Sequence, residues 1–113
     1  MMKLRELAHA RSGDKGNHAN IGVIAREASA YAQLCRVLTE ERVAEFFAPL
    51  GAREVKRYLL PGIHAMNFML YDVLGGGACK SLRLDSQGKT LALAILEMEI
   101  PGPENDEGLS TND

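Results

Sequence analysis

Tryptophan is missing from this 113-residue chain, and aromatic residues make up only 5% of it. Positive charge is not in excess either, because 13 lysines and arginines stand against 15 acidic residues. Proteins that bind nucleic acid present a basic surface, often with aromatic side chains on which bases stack. The sequence therefore argues against a nucleic-acid partner.

Cysteine is scarce, and long apolar runs are absent. Cys35 and Cys79 lie far apart in the sequence and have no metal-ligand or redox-motif spacing, so free thiols are expected. His9, His18 and His64 share no ligand spacing, so neither a metal nor another cofactor is predicted. No run approaches the roughly 20 apolar residues of a membrane-spanning helix, and the charged start of the chain lacks the apolar core of a secretion signal. A cytoplasmic protein without a membrane partner is expected.

The chain does contain enough apolar residues for one modest core, with 46% hydrophobic and 25% charged residues. This composition is typical of a soluble domain of this length. Residues 1–100 are predicted to form that single domain. Residues 101–113 carry four acidic residues and no basic one, and they are predicted to be an acidic disordered tail.

The residues from Arg11 to His18 form the most informative stretch. They lie between two predicted strands, Lys3–Ala10 and Ala19–Ala25, and are nearly all polar or glycine. Glycines permit positive φ and close backbone approach, and successive backbone N–H groups around them can form a nest for an anion. The sequence therefore predicts a loop that binds an anion or a carboxylate, with these binding residues: Arg11, Ser12, Gly13, Asp14, Lys15, Gly16 and Asn17.

The alternative for this stretch is a structural loop in which Asp14 and Asn17 hydrogen-bond their own backbone. It does not match a phosphate-binding loop, because no Gly-Lys-Ser/Thr follows a four-residue gap. Asp14 and His9 are the candidate catalytic bases, and His9 is the histidine nearest the loop. No Ser-His-Asp or Cys-His arrangement can be argued from the order of the residues.

Two consecutive segments have the i, i+3, i+4, i+7 spacing of an amphipathic helix. Ser29 is the expected N-cap of the first and Thr39 of the second, while Pro49 and Gly51 close the second. The apolar positions are Tyr31, Leu34, Cys35 and Leu38, then Val43, Phe46, Phe47 and Leu50.

The second half of the chain is predicted to be mainly strands. Glu54–Leu60 is a strand that ends at a Pro-Gly pair, whereas Ile63–Leu74 fits either a helix or a strand, and the helix is favoured. Lys80–Asp85 alternates like a strand and leads into a turn ending at Gly88. Thr90–Ile100 is predicted to be a final strand, apolar on both faces. A face of this kind must be covered, so a homo-oligomer is expected.

These elements predict an α+β fold, a two-layer sandwich with helices packed on one face of a mainly antiparallel sheet. Asn20 and Asn67 lie in apolar surroundings, where an unpaired amide costs about 1–3 kcal/mol, so each needs a partner. A structural hydrogen bond and a substrate contact are both open for them. Ser81 follows the Gly75–Gly77 run, which is either a helix stop or part of a backbone oxyanion site.

Several separated motifs resemble one known family in the same order along the chain: Leu7-Ala8-His9-Ala10-Arg11-Ser12-Gly13-Asp14-Lys15-Gly16, Ala19-Asn20-Ile21-Gly22-Val23-Ile24-Ala25-Arg26, Leu60-Pro61-Gly62, Asn67-Phe68, Leu74-Gly75-Gly76-Gly77 and Ser81-Leu82-Arg83-Leu84-Asp85. The family is the acyclic terpene utilisation (AtuA-type) proteins, and the resemblance is to their C-terminal ferredoxin-like domain over about residues 3–101. It implies a ferredoxin-like fold and a link to the breakdown of branched isoprenoid acids and alcohols. In that family the domain usually follows a much larger one, so a separately encoded larger AtuA-type partner is expected here.

Three functions remain as hypotheses. The first is an accessory or substrate-binding subunit that acts with the larger partner, with Asn20, Asn67 and Ser81 lining the site. The second is a small self-contained enzyme, an isomerase or hydrolase of an acyl compound. The third is a structural module for oligomerisation.

Overall fold

The computed structural model describes residues 1–16, 18–52, 54–71 and 89–101. Within these ranges the chain forms six strands, three helices and three short 3-10 turns. The turns are Leu4–Glu6, Ala48–Leu50 and Pro61–Ile63. The strands and helices, in chain order, are β1 Met2–Lys3, β2 Ala8–Lys15, β3 His18–Ala25, α1 Ala28–Val37, α2 Glu40–Phe46, β4 Glu54–Leu60, β5 Ala65–Tyr71, α3 Lys89–Leu96 and β6 Glu99–Ile100.

The main sheet has four strands in the order β2-β3-β5-β4, and every neighbouring pair is antiparallel. The strands β1 and β6 pair separately. The order β3, helices, β4, β5, helix follows the β-α-β-β-α part of the ferredoxin-like pattern. The predicted α+β ferredoxin-like fold is therefore confirmed, with β2 occupying the place beside β3.

The hydrophobic core lies between the helices and one face of the sheet. Ile21 of β3 and Phe68 of β5 are fully buried on that face, opposite Leu34 of α1 and Leu91 and Ile95 of α3. Burial alternates along β3, so every second residue points away from the helices. That alternation leaves the second face of the sheet to carry the polar residues.

Arg57 of β4 ties both helices of the first pair to the sheet. Its guanidinium donates from Nη1 to the carbonyl oxygens of Cys35 and Leu38, at 2.9 and 2.8 Å. Its backbone N–H donates to Glu40 Oε2 at 2.7 Å. These carbonyls belong to the last turn of α1, where helix geometry leaves them without partners within the helix.

The helix caps agree with the sequence at one helix and not at the other. Thr39 Oγ1 accepts from the backbone N–H of Arg42 at 3.1 Å, as predicted for α2. The cap predicted at Ser29 was wrong, because α1 begins two residues earlier than that cap implies, at Ala28, and Glu27 occupies the N-cap position. Ser29 lies in the first turn and its hydroxyl donates to Glu27 Oε1 at 3.0 Å.

Two predictions near the N-terminus were wrong. The predicted strand Lys3–Ala10 is interrupted by a 3-10 turn, because Leu4 leaves the extended path to enter the core. The predicted loop Arg11–His18 is instead a β-hairpin in which β2 runs as far as Lys15. Its turn contains Gly16 with φ of +65°, a left-handed conformation that suits glycine. One face of β2 is exposed, and an exposed strand face can carry as many polar residues as a loop does.

Two further assignments were wrong in the second half of the chain. The segment favoured as a helix, Ile63–Leu74, contains strand β5, paired on both sides by β3 and β4. The predicted final strand Thr90–Ile100 contains α3, with Leu91 and Ile95 one turn apart in the core. The strand with two apolar faces, from which a homo-oligomer was inferred, therefore does not form. The homo-oligomer itself stays a prediction. Residues 72–88 and 102–113, with the predicted strand Lys80–Asp85 and the acidic tail, lie outside the described residues.

Candidate functional site

The face of the main sheet that points away from the helices is called here the open face. Its composition follows from the strand register, because residues paired across neighbouring strands share a face. Three rows of side chains cross it from β2 to β4: His9, Ile24, Ala65 and Leu60; Arg11, Gly22, Asn67 and Tyr58; Gly13, Asn20, Met69 and Lys56. The row beyond them contains His18, Tyr71 and Glu54.

Asn20 and Asn67 meet at the centre of this face. Asn20 Nδ2 donates to Asn67 Oδ1 at 3.2 Å, and both side chains are half-buried. Each amide thus has the partner that its surroundings demand, and the partner is the other amide. One such bond uses only part of the hydrogen-bonding capacity of two carboxamides. The pair is therefore both a structural contact and a group that can bind a ligand.

Gly13 makes room for this pair. A Cβ atom on Gly13 would lie 3.3 Å from Asn20 Oδ1, which is tighter than nine in ten Cβ contacts. A larger residue at position 13 would therefore push the Asn20 amide by a few tenths of an ångström.

Aromatic groups border the amide pair on one side. The rings of His18 and Tyr71 meet edge to face with centroids 5.1 Å apart. A hydrogen bond with Tyr58 raises the pKa of Tyr71, and burial adds to the rise. Tyr71 therefore stays protonated at neutral pH, so it can donate a hydrogen bond but does not act as a base.

His9 lies on the open face but is held by an arginine. Arg26 Nη1 is 3.0 Å from His9 Nε2, and Arg26 Nη2 donates to the carbonyl oxygen of Arg5 at 3.1 Å. A guanidinium can only donate, so Nε2 of His9 is the acceptor and carries no proton. This nitrogen is already engaged, which weakens the case for His9 as a catalytic base.

The residues predicted to form one binding loop are divided between two faces. Arg11, Gly13, Asn20 and Asn67 come together on the open face. Ser12 lies on the opposite face, where its Oγ accepts from the backbone N–H of Ala92 at 3.2 Å. Because Arg11–Lys15 form a ladder with β3, the expected nest of loop N–H groups is not built there. Gly16 is exposed in the hairpin turn. The backbones of Asp14 and Lys15 pair with those of Ala19 and His18. Asn17 and Ser81 lie outside the described residues.

The open face also contains residues that the sequence analysis did not assign to the site, among them His18, Gly22, Tyr58 and Tyr71. The two-residue period of each strand could have placed His18 and Gly22 with Asn20, and Tyr71 with Asn67. The position of Tyr58 follows only from the pairing of β4 with β5. A separate feature is an apolar cleft of about 370 Å³ between β2 and α3, lined by Ala10, Arg11, Ser12, Ala92 and Leu93.

In the described part of the chain, no group of three or more His, Cys, Asp or Glu side chains could hold a metal ion. None of the helices in these ranges has the length and apolarity to cross a membrane.

The fold and the open face define a small α+β sandwich domain whose sheet has a polar centre on the side that points away from the helices. The chain belongs to the AtuA ferredoxin-like domain family, whose model matches residues 2–101. The family predicted from the motifs is thus confirmed. No curated protein and no solved structure matches the chain.

Proposed function

We propose that this domain is an accessory, substrate-binding subunit that acts with a larger AtuA-type partner in the breakdown of isoprenoid and branched acyl compounds. The observation that carries the proposal is the half-buried Asn20–Asn67 amide pair at the centre of the open face. A polar pair placed on a sheet face away from the core adds little to packing. It is well placed to orient a polar group of a ligand.

The rows of the open face suit a ligand with one polar end and one apolar end. The row of Arg11, Gly22, Asn67 and Tyr58 is polar, and the next row contains Ile24, Ala65 and Leu60. Branched acyl and isoprenoid acids have this character, with a carboxylate at one end and a methyl-branched hydrocarbon at the other. The two rows lie about 7 Å apart along the strands, which a short branched acid can span.

A partner is proposed because a sheet face by itself leaves a ligand largely in water. Ligand sites bury most of the ligand surface, so a second protein surface is needed to cover the open face. Large apolar side chains stand exposed at one end of this face, with Tyr58 at 52%, Leu60 at 45% and Ile63 at 64%. Exposed apolar groups that lie together mark protein contact surfaces.

The competing hypothesis of a self-contained isomerase or hydrolase needs a catalytic base. Of its two candidates, His9 has its Nε2 engaged by Arg26. The binding hypothesis needs no such base and uses the amide pair directly. For the third hypothesis, the apolar strand that suggested a structural module is replaced by α3.

The test is complex formation in solution. The chain is mixed with a larger AtuA-type protein encoded beside it, and the mixture is followed by sedimentation velocity. A stable complex is expected, and Ile63→Lys should weaken it about tenfold or more, equal to roughly 1.4 kcal/mol. Leu93→Lys is the matched control, because Leu93 is equally exposed but belongs to α3, in the helical layer. The absence of a complex with the unaltered chain would contradict the proposal.

A further inference from the structure

Gly22 leaves a gap in the middle of the open face. It stands between Arg11 on β2 and Asn67 on β5, and on its own strand its neighbours on this face are Asn20 and Ile24. Since neighbouring strands are about 4.8 Å apart, the backbones of Arg11 and Asn67 lie about 10 Å apart across it. The register thus places a residue without a side chain among those of Arg11, Asn20, Ile24 and Asn67, and this position is called here the Gly22 slot.

Neither packing nor backbone conformation explains a glycine at this position. A Cβ on Gly22 would meet the Arg11 carbonyl oxygen at 3.9 Å and Asn67 Oδ1 at 4.0 Å, which are ordinary contacts. Among the glycines that the structure describes, positive φ occurs at Gly16 and Gly51. Glycine is unfavourable inside a strand and often marks close approach of another group. Gly13 differs, because a Cβ there would crowd Asn20.

The side chains around the Gly22 slot carry one positive charge and two carboxamides. The Arg11 side chain is exposed, and the ion pairs found in the described ranges do not involve it. The Asn20 and Asn67 amides can turn over together, which keeps a hydrogen bond between them and exchanges the donor and the acceptor. The slot can therefore present N–H groups from an asparagine together with the guanidinium of Arg11.

We propose that the Gly22 slot binds the carboxylate of a branched acyl acid. Arg11 pairs with its charge, an Asn20 or Asn67 N–H donates to an oxygen, and the hydrocarbon lies over Ile24 and towards Leu60. A carboxylate matches the slot because charge-assisted bonds from a guanidinium are stronger than neutral ones. The inference rests on the proposed function, since it names the ligand of the same face.

The experiment is a titration of the full chain followed by two-dimensional amide NMR, with isovalerate as the probe and isoamyl alcohol as its uncharged match. Isovalerate should give saturable shifts at the Gly13, Gly22 and Asn67 signals, with an affinity in the ~1 mM range. Gly22→Ala should weaken binding about tenfold or more without lowering the melting temperature, because its methyl group fills the slot and makes only ordinary contacts. Arg11→Gln should weaken isovalerate binding by a similar factor. This variant tests the proposal if Gly22→Ala does not fold.

Gly62→Ala is the matched control, because a Cβ there meets nothing within 4 Å. It should bind isovalerate as the unaltered chain does. The inference is overturned if the unaltered chain gives no saturable shifts, if folded Gly22→Ala binds equally well, or if the alcohol binds as tightly as the acid. Sedimentation with the larger partner, run without acid, is a separate measurement. If the complex forms but the acid does not bind, only the slot proposal fails. If the acid binds but no complex forms, the proposal of a larger partner is contradicted.

Discussion

Arg57 Nη1 lies 2.8 Å from the carbonyl oxygen of Leu38, so a strand side chain closes the end of the first helix. The same nitrogen also donates to the carbonyl oxygen of Cys35 at 2.9 Å. A positive charge at this end is favoured by the helix dipole as well as by the hydrogen bonds. Arg57 therefore helps hold α1 against the edge strand β4.

Replacing Arg57 should measurably destabilise the domain. We expect Arg57→Met to lower the free energy of unfolding by about 1.5–3 kcal/mol, because hydrogen bonds from a charged donor are lost at two carbonyls. Urea unfolding at neutral pH measures the change. Lys56→Met on the same strand is the control, since its exposed ammonium makes only a 3.6 Å ion pair with Glu54. It should change stability by less than ~0.5 kcal/mol, and an equal loss in both variants would refute the role of Arg57.

The asparagine pair should behave as one coupled unit. Asn20→Ala and Asn67→Ala should each destabilise the domain, and the double variant should lose less than the sum of the two single changes. A coupling of about 0.5–1.5 kcal/mol is expected for one hydrogen bond between the amides. Chemical unfolding of all four proteins completes the double-mutant cycle. Strict additivity would show that the 3.2 Å contact contributes nothing to stability.

Ser12 separates a structural role from a binding role within one motif. Ser12→Ala removes the acceptor of the Ala92 N–H and should cost about 1 kcal/mol of stability, as for other hydroxyl caps. Because Ser12 faces the helices, the same variant should still bind isovalerate on the open face. Thermal unfolding and the NMR titration test the two parts. Ser29→Ala, an exposed serine in α1, serves as the control for loss of a hydroxyl.

Glu97 should make stability depend on pH below neutrality. Its carboxylate bonds Lys3 Nζ at 2.6 Å and Arg5 Nη1 at 2.8 Å. The hydrogen bond from Lys3, with the charges of both partners, lowers the pKa of Glu97 in the folded chain. The stabilisation is therefore complete above the unfolded pKa of roughly 4.3 and is lost as pH falls through the lower folded value.

The corresponding experiment compares Glu97→Gln with the unaltered chain at pH 7 and pH 3. The variant should unfold at lower urea concentration at pH 7, and the difference should shrink at pH 3 and in high salt. Glu99→Gln, two residues along, controls for the loss of an exposed carboxylate. A difference that does not change with pH would contradict the ion-pair explanation.

The sequence predicted correctly those helix and strand ends that depend on neighbouring residues along the chain. Thr39 and the acidic residues after it marked the start of α2, and the Pro-Gly pair marked the end of β4, both as the structure has them. The helical spacing of Leu34 and Leu38 predicted α1 correctly, because both side chains are buried in the same hydrophobic core. The family signature covered the body of the chain, and it fixed the fold class more firmly than the periodicity did.

The errors arose where the decisive contact is distant in sequence. Met66, Phe68 and Leu70 fit two periods equally well, and the pairing with β3 selects the strand. Polar residues from Arg11 to Lys15 looked like a loop because an exposed strand face has the same composition. The pairing of Asn20 with Asn67 joins residues 47 positions apart. The sequence showed that each amide needed a partner, but the partner follows only from the sheet register.

Successive side chains of β2 contact opposite sides of the sheet, so this strand connects the open face to the helical layer. Arg11 points to the open face and Ser12 to the start of α3, and one peptide bond separates them. We therefore expect a ligand that shifts Arg11 to disturb the Ser12 contact and to change how often the first turn of α3 opens. Hydrogen exchange at Ala92 would then report whether the open face is occupied.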